Sequence, residues 1–129
     1  MNRLLLGLMF LLTATAAMAE WTAIAENDEL IVYVDTATIR RNGNLVKMWD
    51  LRDFKTIQTT ASGASFLSSK AQNEYDCKEE KMRLLAFSWF SGQMGRGKVV
   101  FSHSDPEKWT PIGPDSIGET FWKIACGRR

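Results

Sequence analysis

Through most of the chain, apolar and polar residues alternate with a period of about two, the pattern of β-strands, and only near the end does the period lengthen to that of a helix. Trp21 to Ala25 reads as a short first strand, followed by the polar turn Glu26-Asn27-Asp28-Glu29. Leu30 to Val34 is a β-branched run that ends at Asp35. Asp35-Thr36-Ala37-Thr38 then suggests one helical turn capped by Asp35. Asn42-Gly43 marks a turn. Leu45 to Lys55 is a long strand with Trp49 and Leu51 on one face and Met48 and Phe54 on the other. Thr56 to Gly63 reads as loop, and Ala64 to Cys77 as the next strand. After the charged link Lys78 to Lys81 comes Met82 to Phe90, the most hydrophobic strand. Gly92, Gly95 and Gly97 make the following segment a loop, and Lys98 to His103 returns as a strand. Asp105 to Pro114 carries Pro106, Pro111 and Pro114, so it is extended or turning.

The closing stretch, Ser116 to Cys126, changes register. Ser116 and Glu119 have the spacing of a capping box, in which hydroxyl and carboxylate satisfy two orphan backbone donors. Ile117, Phe121, Ile124 and Ala125 then share one helical face, with Trp122 one turn before Cys126. Gly127 supplies a left-handed stop. Strands followed by one terminal helix predict an α+β domain: an antiparallel sheet of about six strands with the C-terminal helix packed on one face.

The first nineteen residues do not belong to that pattern. Met1-Asn2-Arg3 is a basic start, Leu4 to Leu12 an apolar run broken only by Gly7, and Ala17-Met18-Ala19 a small-x-small cleavage site. Residues 1–19 are expected to be a secretory signal peptide and 20–129 a single domain. The apolar run is too short for a membrane span, so no stable membrane insertion is expected after cleavage. Glu20 would then come first, with no cysteine there to take a lipid. Without Arg3 the basic and acidic residues balance at fifteen each. That neutrality argues against a general nucleic-acid binder, which needs a basic surplus. Export also decides the state of the two cysteines: Cys77 and Cys126 are expected to form a disulfide that ties the helix to the sheet. Closing a loop of that length contributes about 4 kcal/mol in the chain-entropy model.

Candidate chemistry is sparse. Gly92-Gln93-Met94-Gly95-Arg96-Gly97-Lys98 has the glycine and lysine spacing of a phosphate loop, but Val99 stands where serine or threonine would hold magnesium, and a strand follows instead of a helix. His103 is the only histidine; its neighbours Ser102 and Ser104 point to the other face of a strand, and no nucleophile elbow is present. One histidine and two bonded cysteines are too few for zinc. Asp50, Asp53, Glu74, Asp76, Glu79 and Glu80 read as solvated strand-edge charges. No enzyme and no cofactor are therefore expected. The tryptophans and phenylalanines have two open roles: filling the space between sheet and helix, or lining a concave binding face. Arg40 and Arg41, Arg96 and Lys98, and the tail Arg128-Arg129 are candidate docking points for anionic partners.

Over nearly the whole exported region the chain resembles the surface-adhesin protein E family of Gram-negative bacteria. The resemblance runs through Trp21, Tyr33-Val34-Asp35, Trp49-Asp50-Leu51, Ser69-Lys70, Tyr75-Asp76-Cys77, Arg83, Gly92 to Gly97 with Val99-Val100, Trp109, Pro111-Ile112-Gly113-Pro114 and Trp122-Lys123-Ile124-Ala125-Cys126. It implies an antiparallel sheet with a disulfide-tied C-terminal helix, and a surface adhesin that binds host matrix and plasma proteins such as laminin and vitronectin. The family's namesake is lipid-anchored. This leader lacks the lipidation cysteine, which implies a periplasmic or released domain. The expected function is an exported binding module engaging a protein or envelope component. The alternative is a periplasmic protein holding a small apolar or envelope ligand between sheet and helix.

Overall fold

A computed structural model describes residues 20–128. The expected signal peptide lies outside them. The strands β1 (Thr22–Glu26), β2 (Leu30–Asn42), β3 (Leu45–Thr59), β4 (Ser65–Asp76), β5 (Lys81–Phe90) and β6 (Val99–His103) form one antiparallel meander in sequence order. A two-residue strand, β7 (Thr110–Pro111), pairs with the free half of β5. The Glu107 amide donates to the Leu84 carbonyl at 2.8 Å, so the proline-rich segment runs along that edge. The helix α1 (Ile117–Cys126) packs on one face of the sheet.

Cross-strand partners share a face, so the register defines two surfaces. Val32 and Val34 of β2, Val46 and Met48 of β3, and Tyr75 of β4 face the helix, where Phe121, Trp122, Ala125 and Cys126 cover them. Cys77 and Cys126 are bonded, as expected, with Cα atoms 5.7 Å apart. The helix begins at Ser116, whose Oγ accepts the Glu119 amide at 3.1 Å. The Glu119 carboxylate reaches the Asp115 amide, one residue before the position a standard capping box uses. Gly127 is left-handed, and the amides of Gly127 and Arg128 donate to the carbonyls of Ile124 and Lys123, closing a Schellman motif. The Trp122 indole donates to the Asp76 carbonyl at 2.8 Å, beside the disulfide.

Three expectations are corrected. Asp35 to Thr38 is a bulge within β2 rather than a helical turn. Its local hydrogen bonds are those of a turn, with Asp35 Oδ1 accepting from Ala37 and Thr38 Oγ1 donating to the Asp35 carbonyl. Pairing with β3 resumes on both sides, and Thr38 Oγ1 accepts the Trp49 amide, so the sheet keeps the segment. Thr56 to Thr59, expected as loop, extends β3 by pairing with Ser65 and Phe66. Ile117, assigned to the buried stripe, is 36% exposed.

The opposite face carries its own cover. The segment between β5 and β6 contains a single 3-10 turn, Gln93–Gly95, that folds back over β3 and β4. Leu51, Asp53 and Ser68 are buried on this face. No helix among the described residues is long and apolar enough to cross a membrane.

Candidate ligand-binding face

The helix covers only one end of its face. It packs on β2, β3 and β4. Beyond Ile117 and Phe121, strands β3 to β6 present a row of rings. Phe54 of β3 meets Phe66 of β4 edge-on at 5.7 Å, and Phe66 stacks on Trp89 of β5 at 4.5 Å. Trp89 lies 5.0 Å from Phe101 of β6, and Phe87 lies 5.7 Å from both Trp89 and Phe101. His103 ends the row, 5.9 Å from Phe87. Phe101 is 45% exposed and the other phenylalanines and Trp89 are half-buried. Ring-to-ring contact holds the row together while leaving its outer surface wet.

Two cavities open between this row and the N-terminal end of the helix. The larger, about 510 Å³, is walled by Met82, Leu84, Phe87, Trp89, Ile117 and Phe121 and floored by Asp50, Ser69, Ala71 and Asn73, with Arg52 beside them. The smaller, about 360 Å³, lies between β1, β2 and β3 and shares Arg52 and Ile117 with it. Asp50 is 2% exposed. Asn73 Nδ2 donates to its Oδ2 at 2.9 Å. Burial pushes the Asp50 carboxyl up to about 6, against the opposing effects of the Arg52 charge and the Asn73 hydrogen bond. Tyr75, on the adjacent strand, is fully buried and its hydroxyl has no hydrogen-bond partner among the described residues. Burial and then the negative charge of Asp50 raise its pKa above the ordinary tyrosine value.

Nearly the whole of this domain, residues 21–127, matches the profile of a known family, described as surface-adhesin protein E. The chain belongs to the surface-adhesin protein E family. Solved structures of Haemophilus influenzae protein E have the same fold. One crystal form superposes with a TM-score of 0.68 at 12% identity, covering 91% of this chain and 94% of that one. Another gives 0.66 at 13% identity, with 92% of each chain covered. The protein from a non-typeable strain gives 0.56 at 11% identity, covering 85% of this chain and 86% of that one. No curated protein matches the chain by sequence.

Within this family fold, the residues singled out from sequence fall in separate places. Arg40 and Arg41 sit at the β2–β3 hairpin end, where Arg40 donates to the Ala37 and Ile39 carbonyls and Arg41 to that of Gly43. Arg96 and Lys98 are exposed at the opposite end of the sheet, in the β5–β6 connection. The two pairs therefore do not form one basic patch. Arg128 turns inward, stacking on Trp122 at 5.5 Å and donating to the Cys77 carbonyl. The glycine-rich segment is no phosphate cradle. The Met94 amide donates to Asp53 Oδ1 at 2.7 Å, and Ser68 Oγ accepts the Gly95 amide while donating to the Gly92 carbonyl. Those amides are already satisfied by the sheet. His103 lies on the aromatic row, whereas Ser102 Oγ pairs with Ser88 Oγ, so no serine–histidine pair forms there.

The carboxylates need a sharper correction. Asp50, Asp53 and Glu74 are buried rather than solvated. Glu74 is paired with Arg83, at 2.7 Å to the guanidinium, and Arg83 lies over Trp109. Asp53 holds the Met94 amide. Asp50 has only the Asn73 side-chain amide, and no ion-pair partner among the described residues. The alternation that places Met48 with Phe54 also places Asp50 and Arg52 on the helix side, and that signal was in the sequence.

Proposed function

We propose that the chain is an exported, non-enzymatic binding module that engages a protein or envelope component through the open half of its helix-side face. The single observation supporting this is the ring row from Phe54 to Phe101, held rigid by its own contacts and left partly in water. Surfaces of this composition, with aromatics at the centre and an arginine beside them, are where binding energy concentrates. Residues 1–19 would direct export, and 20–129 would act as one unit.

The test is binding of the purified mature chain to immobilised laminin and vitronectin, the partner class the family resemblance implies. Phe101→Ser should weaken binding about tenfold, or ~1.4 kcal/mol, while the variant still melts cooperatively. Charge reversal at Arg40 and Arg41 should matter less. Equal binding by wild type and Phe101→Ser overturns the assignment of this face. Protease shaving of intact cells, set against release by osmotic shock, decides between the surface and the periplasm.

The cavity of about 510 Å³ beside the helix favours a second reading, in which the same face holds a small apolar ligand between sheet and helix. Saturation of the cavity by such a ligand would then compete with any macromolecule bound to the ring row.

A further inference from the structure

The larger cavity contains an imbalance that the fold does not require. Asp50 is 2% exposed at its floor, and Asn73 occupies one of its oxygens. Among the described residues no lysine, arginine or histidine forms an ion pair with it. Arg52, two positions along the same strand, is exposed and reaches water. Its charge is hydrated where it stands, while that of Asp50 is not. A buried carboxylate is ordinarily closed by a cation and further hydrogen bonds, as Glu74 is by Arg83 on the opposite face. At Asp50 the space where that cation would sit is cavity, walled by Phe87, Trp89 and Phe121.

We infer that this cavity is a binding site for an apolar, aromatic-bodied molecule carrying a protonated amine, with the ammonium on Asp50 and the body against Phe87 and Trp89. The inference rests on the small-ligand reading above and names its ligand class. A charge-assisted hydrogen bond to the free carboxylate oxygen supplies direction. The ring faces favour a cation and its apolar body together. Exposed Arg52 opposes the ammonium, so it limits affinity rather than creating it.

The site is pH-sensitive by construction. The groups facing Asp50 are Arg52 from its own strand and Asn73 and Tyr75 from β4; β5 and the helix line the cavity with apolar residues and Gly118. With its carboxyl pushed up to about 6, Asp50 is ionised at neutral pH and becomes protonated in mild acid.

Titration calorimetry on the purified mature chain tests this with three probes of one shape: 1-naphthylmethylamine, 1-naphthylmethanol and 1-naphthylacetate. At about pH 7.5 the amine should bind about tenfold tighter than either other probe, and at about pH 5 that advantage should be lost. Asp50→Asn should remove the preference and its pH dependence while still binding the alcohol. Arg52→Gln, an exposed substitution, should tighten the amine and weaken the acetate. An alcohol or acetate that binds as tightly as the amine overturns the ligand class and leaves the cavity reading standing. A preference that survives Asp50→Asn overturns the role of Asp50. If none of the three probes binds, the small-ligand reading beneath the inference falls with it.

Discussion

Two halves of one sheet face are finished in different ways. At the end near Val46, Tyr75 and Cys77, the helix excludes water and a disulfide holds it in place. At the end near Arg52, Phe87 and Trp89, strands β3 to β6 leave rings half in solvent and a carboxylate with no ion-pair partner among the described residues. The helix is anchored at its C-terminal end by Cys126 and packs on β2, β3 and β4, so the rings of β5 and β6 stay outside its cover. Coverage gives the first half its stability. Its absence leaves the second half open to solvent.

Four substitutions break or sharpen this contrast, from the largest expected effect to the smallest. Cys126→Ser releases the tether and should lower stability by about 4 kcal/mol in the chain-entropy picture. Thermal melting under oxidising conditions, with hydrogen exchange across 117–126, checks it; an unshifted melt would sink the tied-helix account. Phe121→Ala empties the centre of the covered half, where the side chain is 1% exposed, and should cost about 3 kcal/mol or more by denaturant titration. It should also enlarge the cavity beside it.

Asp50→Asn acts in the opposite sense. Because burial pushes this carboxyl up to about 6, the folded chain binds the Asp50 proton more tightly than the unfolded chain does. The contribution of Asp50 to stability therefore falls as pH rises between roughly 4 and 6. At neutral pH the asparagine variant should be the more stable by about 2–3 kcal/mol, with the difference vanishing below about pH 4. Paired melts across that range measure it, and a difference independent of pH would remove Asp50 from the account. Phe101→Ser, on the open half, should lower stability by only about 1 kcal/mol, from its contacts with Phe87 and Trp89. Its effect belongs in the binding assay, and a large drop in the melt would mean the ring row is structural.

The open half was the least legible part of the sequence. The helical period already placed Phe121 on an apolar face, but nothing in the spacing of β5 shows that the helix leaves Trp89 half-buried on the row. Asp50 and Asp53 are both buried on β3, yet face opposite sides, where one meets a cavity and the other the amide of Met94. The Gly92 to Gly97 segment reads correctly as a loop. Its docking onto Asp53 and Ser68 depends on residues far away in the chain, which local spacing cannot reveal.

By itself the sequence determined what is local or countable. Alternation of side chains placed the strands and paired Met48 with Phe54 on one face; Ser116 and Gly127 bounded the helix; the two cysteines were the expected disulfide pair. These follow from backbone geometry, capping and redox chemistry, which act within a few residues or on simple counts. The tertiary structure alone decided where the helix stops on the sheet. With that it settled which aromatic side chains became core and which became surface, and which carboxylates found partners. Burial and charge pairing are properties of neighbours brought together by the register, and the register is a long-range solution that no single segment encodes.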